Sequence, residues 1–467
     1  MRIKLFFTFT ILGLQSGLVF NQLNAQVTLN CNIQEGFIVR GCFGGRDCIP
    51  ALTNPALLTA SEATSYLGES DLVLGVFQNG VARAYPHRIL WWHEIVNDTL
   101  GGEMLTISFC PLTSTGLLFD ATLNGEEHTF GVSGLLYNDN LIMYDRLSGE
   151  TLFPQLCFIG RDGNLNGQQL ELLPIIETTW SAWKALYPNT TVLSDDTGFD
   201  RNYSHYPYGD YRTNNDNLLF PLTKEDHRLE RKDIIFGIIL NNIERAYPFK
   251  DMGEMAVLND DIGGPKVLIL FIEEAKLAIS YYREVEGQVL NFELQKILPS
   301  GLITIRDKET GTIWNTKGEA MSGPLALNGT KLVHIPAYNA MWFAWGAFWE
   351  NPEIADIASL ITSVEGERED ELVPQDFALY QNFPNPFNPT TNITYDLDKN
   401  SLVTLKIYDV LGQVVRTLVD NENQSTGRKS VLWDGRDDAG ELVASGIYVY
   451  RIRAGEFSQS RKMIMLQ

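Results

Sequence analysis

One stretch of this chain is written twice. Gly75-Val-Phe-Gln-Asn-Gly-Val-Ala-Arg-Ala-Tyr-Pro86 returns as Gly237-Ile-Ile-Leu-Asn-Asn-Ile-Glu-Arg-Ala-Tyr-Pro248, an offset of 162 residues. Ten of the 28 positions from 75 to 102 are identical to their counterparts, where average composition would give roughly one or two. The same offset pairs Phe109 with Phe271, Asp145 with Asp307, Gly149 with Gly311 and Pro174 with Pro336. It also pairs Trp180-x-Ala182-Trp183 with Trp342-x-Ala344-Trp345. A unit of about 130 residues is duplicated in tandem, so the fold must accommodate two like bodies.

Within the unit, Leu72 to Phe77, Val81 to Tyr85 and Leu105 to Phe109 are short apolar runs bounded by turn residues, the pattern of strands. Asn79-Gly80 marks a hairpin turn, and Asn124-Gly125 and Asn166-Gly167 mark further turns. A helix from Trp180 to Leu186 follows a Thr178-Thr179 cap and stops before Pro188. The fold class expected is mainly β with a few helices (α+β). It comprises a tandemly duplicated β-rich domain and a C-terminal β-sandwich. The boundaries expected are 26–69 for an N-terminal cysteine-containing segment, 70–190 for the first unit and 232–352 for the second. Between the units, 191–231 is a tyrosine-rich crossover with Tyr203, His205, Tyr206, Tyr208 and Tyr211. Residues 353–376 form an acidic linker, and 377–467 the terminal module.

The N-terminus reads as an address. Arg2 and Lys4 precede an apolar run from Leu5 to Phe20, and Leu23-Asn24-Ala25 offers a cleavage site before Gln26. This predicts a Sec signal peptide over 1–25. The run is too short for a membrane span, and no transmembrane segment is expected in the mature chain. The charge of −22 becomes −24 once Arg2 and Lys4 are removed, which opposes binding to nucleic acid or anionic lipid. Export places the five cysteines in an oxidising setting. Cys42 and Cys48, flanking Gly44-Gly45, are a candidate disulfide, although spacing alone cannot fix connectivity. An odd count leaves at least one cysteine free, metal-bound or paired outside the chain.

The last hundred residues change character. Runs at Asn392 to Leu397, Leu402 to Val410, Gln413 to Val419, Lys429 to Asp434, Gly446 to Ala454 and Ser458 to Leu466 predict a β-sandwich. Asn385-Pro-Phe, Tyr408-Asp-Val-Leu-Gly412, Trp433-Asp-Gly435, Asp437-Asp-Ala-Gly440, Ser445-Gly-Ile-Tyr448 and Lys462-Met resemble the type A C-terminal sorting domain of the type IX secretion system. They also resemble the Ig-like fold of flagellar hook-capping proteins. The resemblance implies passage across an outer membrane, with the Sec and type IX machineries as partners. The protein would then be secreted or attached to the outer cell surface.

The duplication also acts as an internal control for chemistry. Arg83, Tyr85, Asn97 and Asp98 recur at 245, 247, 259 and 260, which fits a shared scaffold. Reactive in one copy only are His93 (opposite Met255), Glu94 (opposite Ala256) and Cys110 (opposite Ile272). A thiolate with an imidazole suits one zinc or copper ion, and a cysteine activated by a histidine suits nucleophilic chemistry. Glu94 would serve as a base through water or as support. Either reading requires His93 and Cys110 to meet.

Arg83-Ala-Tyr-Pro86, His93-Glu-Ile-Val-Asn-Asp98, Cys110-Pro-Leu-Thr113, Phe130-Gly-Val-Ser-Gly134, Met143-Tyr-Asp145, Asp196-Thr-Gly and Tyr206-Pro-Tyr-Gly209 resemble domain of unknown function 3179 over about residues 45–352. That family brings no established activity. Relative to its usual pattern, Ser114 replaces a glycine, Phe109 a tyrosine and Cys48 a glycine, which could give Cys42 or Cys110 a partner. Two functions remain open on sequence. One is a metal-binding or thiol-dependent site in the first unit, within a single deep polar pocket. The other is a non-catalytic module binding a glycan, surface polymer or small molecule through an exposed aromatic groove of the crossover.

Overall fold

The structure, a computed structural model, describes residues 31, 33–361, 377–380, 382, 385–455 and 457–466. The signal peptide, its Ala25–Gln26 cleavage point and the acidic run near 365–371 lie outside these residues. Among the described residues, no helix is long and apolar enough to cross a membrane. The chain forms two compact units, divided at Thr362 and Ser363.

The larger unit is mostly strands, and its two halves repeat one topology. In the first half, Ile176–Thr179, Leu72–Gln78, Val81–Pro86 and Thr191–Leu193 lie side by side in that order. In the second, Ala337–Met341, Ile234–Leu240, Ile243–Pro248 and Glu353–Ile354 do the same. Both sheets pair antiparallel except for a parallel last strand. The meander Ile95–Leu100, Glu103–Cys110, Thr115–Asp120 is matched by Met255–Asp261, Lys266–Ile272, Leu277–Tyr282. Asn79-Gly80 turns with φ of 48° and 84°, and Asn241-Asn242 with 49° and 61°, as a tight hairpin requires.

Each half ends in a short helix, α2 (Trp180–Leu186) and α3 (Trp342–Phe348). Thr179 caps α2 by accepting from the Ala182 N–H. Trp180, Trp183, Trp342 and Trp345 are all fully buried. The second Trp of each pair lies flat on a strand glycine. A Cβ on Gly75 would come within 2.2 Å of Trp183, and one on Gly237 within 2.3 Å of Trp345. This explains why both glycines are kept.

The halves share their cores. One core joins Trp180, Trp183 and Val73 of the first half to Leu270, Ile279 and Trp314 of the second. The other joins Ile95, Leu117 and Phe153 of the first half to Trp342, Trp345 and Ile235 of the second. Hydrogen bonds across the junction are reciprocal. Thr179 N–H donates to Ala275 O at 2.9 Å, and its counterpart Met341 N–H donates to Thr113 O at 2.8 Å. The arrangement is a two-fold contact within one chain.

Residues kept in both copies brace this scaffold. Asp98 accepts from Arg83 and from Tyr85 Oη, the latter at 2.7 Å. Asp260 accepts from Arg245 and, at 2.5 Å, from Tyr247 Oη. Asn97 binds the backbone of Phe130 through both ends of its amide, as Asn259 binds Phe292.

The smaller unit is a sandwich. Ala378–Leu379, Thr391–Leu397 and Gly427–Trp433 form one sheet; Val414–Gln424, Ser401–Tyr408, Gly446–Ala454 and Phe457–Met465 form the other. Ile393, Tyr395, Leu405, Ile407, Trp433, Tyr450 and Ile452 fill the space between them.

Because the Trp183 ring is buried, Gly75→Ala has no free space to enter. Urea unfolding of the variant should show a loss of about 1–3 kcal/mol. Gly36→Ala, whose Cβ would meet nothing within 4 Å, should stay within about 0.5 kcal/mol. Equal stabilities would mean that the Trp–strand contact does not constrain the fold.

Candidate functional site

Helix α1 (His87–His93) has no equal in the second half, where a three-residue turn, Phe249–Asp251, stands instead. At 3.6 residues per turn, His87, Leu90, Trp91 and the capping residue Glu94 fall on one face, and His93 on another. His93 is buried, with Nδ1 2.7 Å from Pro50 O and Nε2 2.6 Å from Tyr203 Oη. Both ring nitrogens are therefore engaged away from Cys110. The structure does not make the expected His93–Cys110 contact, because the helical phase turns His93 aside.

Cys110 ends the strand Glu103–Cys110 and is a free, buried cysteine. Its thiol donates to Asp139 O at 3.5 Å. Burial, and secondarily the Glu94 carboxylate, push its pKa up to about 12. Glu94 is itself buried, and burial alone raises its carboxyl to about 8. Its φ is +57°, a conformation a glutamate adopts only where the surroundings enforce it. Cys110 thus neighbours Glu94, the partner given the lesser role on sequence.

His87 enters from the shared face of α1. Its ring packs on Phe109 with centroids 4.3 Å apart, and burial lowers its pKa to about 3. His87 Nε2 lies 3.9 Å from Glu177 Oε2, and neither atom has a hydrogen-bond partner. Burial raises Glu177 to about 7, against the opposing hydrogen bond of Asn339. At the offset of 162, His87, Glu94, Cys110 and Glu177 correspond to Phe249, Ala256, Ile272 and Asn339. Three buried ionisable groups and the half-buried Glu177 in the first half thus face four non-ionisable ones in the second.

Beside Cys110 runs a fully buried polar network. Thr115 donates to Gln155 Oε1 at 2.6 Å, Asn140 Nδ2 to the same oxygen at 2.7 Å, and Gln155 Nε2 to Ser108 Oγ at 3.0 Å. Asn140 also donates to Thr113 Oγ1 at 2.9 Å. The second half has Leu277, Lys317, Leu302, Leu270 and Ala275 at the positions of Thr115, Gln155, Asn140, Ser108 and Thr113. The offset comparison would have found His87, Glu177 and this network had it been carried past the residues that look reactive.

The crossover begins with the strand Thr191–Leu193, and from 194 to 231 it closes the site without helix or strand. Tyr206 Oη donates to Pro111 O at 3.2 Å and Tyr211 Oη to Asp139 Oδ2 at 2.9 Å. Arg212 stacks on Trp91 and Tyr206, at 5.0 and 4.1 Å. Tyr206 and Tyr211 are buried core residues, so they do not form the exposed aromatic groove that a polymer-binding module requires. Among the described residues, no three His, Cys, Asp or Glu side chains stand close enough to share an ion. His93 holds both ring nitrogens on Pro50 and Tyr203 rather than on Cys110. Cys42 pairs with Cys48 and Cys31 with Cys157.

Glu94 gives a pH signature. Its folded pKa of about 8 exceeds the unfolded value of 4.5, so the folded state holds the proton more tightly. Stability from this group is full below about pH 4.5 and is lost as pH rises through about 8. Glu94→Gln, uncharged throughout, should gain stability relative to the parent from about pH 5 to about pH 8 and then level off. A stability difference that does not change with pH would show that Glu94 titrates normally.

The protein of unknown function (DUF3179) family model matches residues 46–352, and the FlgD Ig-like domain model matches residues 385–456. No curated protein matches the chain. Among solved structures, similarity is found to PorZ, an essential bacterial surface component of the type-IX secretion system of Porphyromonas gingivalis. It is 12% identical, covering 78% of this chain and 58% of that one, with a TM-score of 0.15. Dimeric latent PorU from the same organism is 10% identical, covering 78% and 31%, with a TM-score of 0.20. The chain thus spans little more than half of the first and under a third of the second, and likeness at these scores carries no argument about fold or activity. The match to the DUF3179 model runs through both halves of the larger unit and takes in His87, Glu94, Cys110 and Glu177, and by it this chain belongs to the DUF3179 family.

Proposed function

We propose that this is an exported, cell-surface protein whose first repeat carries a thiol-dependent site built on Cys110 and Glu94. The carrying observation is the asymmetry of the duplication. The second half fills the same four positions with Phe249, Ala256, Ile272 and Asn339, so the scaffold does not need ionisable groups there. Burying such groups costs stability, and clusters of them with shifted pKa values mark functional sites. In this reading Glu94 receives the thiol proton and Cys110 acts as the nucleophile. Among the described residues, no three His, Cys, Asp or Glu side chains converge to favour the metal alternative.

The test is alkylation of the folded protein with iodoacetamide at about pH 8.5, followed by peptide mass spectrometry. Cys110 should react and the four disulfide cysteines should not. Glu94→Gln should slow the reaction about tenfold or more. A faster reaction in that variant would show that Glu94 only repels the thiolate, and would sink its role as base.

Export is supported by the signal-like N-terminus, by two disulfides and by the Ig-like C-terminal module. We read that module as the type IX sorting signal. The mature chain should begin at Gln26. Deleting residues 375–467 should leave the protein in the periplasm, as scored by surface proteolysis of whole cells. Wild-type surface delivery of the truncated chain would overturn the sorting role.

A further inference from the structure

Two groups linked to the thiol through Asp139 and Tyr211 each carry a buried atom without a hydrogen-bond partner. Lys232 is only 8% exposed, and its Nζ has no hydrogen-bond partner. The ammonium sits 3.3 Å from the Tyr211 ring centroid and 4.7 Å from that of Phe343. Asp139 is fully buried, and its Oδ1 also lacks a partner, while Oδ2 accepts from Tyr211. The backbone carbonyl of this same Asp139 accepts from the Cys110 thiol. Thiol, carboxylate and ammonium are therefore linked through Asp139 and Tyr211.

Leaving a buried ammonium and a carboxylate oxygen unsatisfied costs free energy, so each needs a partner in the working state. The second half again omits the arrangement: Asp139 corresponds to Gly301, and Lys232 to Ser70 in the reciprocal position. Two aromatic faces hold the ammonium without using its hydrogens, which stay available to an acceptor. Aromatic walls with one cation select a compact anion, since a charge-assisted hydrogen bond is strongest where water is excluded.

We propose that Lys232 and Asp139 form the recognition end of the Cys110 site, and that its ligand is a small carboxylic acid. The carboxylate of the ligand meets Lys232, and a hydroxyl or amino group beside it donates to Asp139 Oδ1. This deepens the thiol reading above and rests on it. Burial lowers the Lys232 pKa only to about 8, so the ammonium form prevails at neutral pH. The crossover wall must move to admit the ligand, because Tyr206 and Tyr211 are themselves buried there.

The test compares two reagents on the full mature chain with its disulfides intact. Iodoacetate carries the carboxylate and iodoacetamide is its neutral analogue. In both, the sulfur–carbon bond forms as the carbon–iodine bond breaks, iodide leaves, and the thiol proton passes to Glu94 or solvent. The iodoacetate-to-iodoacetamide rate ratio at Cys110 should exceed the ratio for free glutathione about tenfold. Lys232→Met should bring it down to the glutathione value, the ratio cancelling any effect of the substitution on the thiol itself. Lys232→Arg, which keeps the charge, should retain the preference and separates recognition from folding. A wild-type ratio equal to that of glutathione, or one untouched by Lys232→Met, overturns the proposal and leaves ordered water as the partner of both groups. If Cys110 reacts with neither reagent in the folded chain, the thiol reading itself fails.

Discussion

Each half of the larger unit closes its terminal helix on its own sheet, Trp183 over Gly75 and Trp345 over Gly237, and the two halves then share their cores. Trp180 and Trp183 belong to one core with Leu270 and Ile279 of the second half, and Trp342 and Trp345 to another with Ile95 and Leu117 of the first. A single copy would expose the apolar side chains that each shared core takes from the other half. The reciprocal bonds from Thr179 to Ala275 and from Met341 to Thr113 fix where the halves meet. Thr113 lies three residues past Cys110, and Glu177 meets Asn339 across the same junction. The candidate site therefore sits at the junction of the halves.

The junction treats both halves alike; the chemistry does not. A glycine in one copy accounts for much of the difference. Gly253, at φ +67°, ends the short turn of the second half, whereas its counterpart Trp91 lets α1 continue to Glu94. That extension carries His87 and Glu94 on one face and leaves Glu94 in a strained conformation. The first half also buries Ser108, Thr113, Thr115, Asn140 and Gln155, where the second has Leu270, Ala275, Leu277, Leu302 and Lys317. A fully connected polar network holds its members rigidly and specifies one arrangement. Around a thiol, that rigidity fixes the walls of the site.

Much of the fold was legible because its signals are local or repeat. The strand runs, the Asn79-Gly80 turn and the Thr179-capped helix at Trp180–Leu186 all stand where the sequence places them. The offset also marked Gly75 and Gly237, whose reason, a Trp ring against each, appears only in three dimensions. The sharing of cores between halves was not legible, since identity between copies does not say which copy supplies a partner. For the candidate site, the sequence singled out Cys110, His93 and Glu94 and passed over His87. His93 drew attention because the second copy has Met255 there, but on a helix its side chain points about 100° away from that of Glu94. His87 is opposite Phe249, and one aromatic ring for another looks conservative until the ring nitrogens are considered. Glu177, opposite Asn339, hides in the same way. The tyrosines of the crossover suggested a groove because composition does not reveal burial.

The resting state of this site follows from desolvation. Burial raises Cys110 and Glu94 and lowers His87, so at neutral pH all three are mainly uncharged. A protonated thiol is a poor nucleophile, and the closed form is accordingly unreactive. The largest cause of the Cys110 shift is burial itself, and the wall that buries it includes the crossover, with Tyr206 on Pro111 and Tyr211 on Asp139. Any movement that parts those contacts admits water, which restores solvation to the thiolate and moves the thiol toward its ordinary range. Access and reactivity are therefore coupled through one physical variable. The same opening parts Lys232 and Asp139 from the groups that face them in the closed form, which are each other, the rings of Tyr211 and Phe343, and the Tyr211 hydroxyl on Asp139. On the proposed reading, the crossover protects the thiol until a ligand displaces it, and the groups uncovered with the thiol select that ligand.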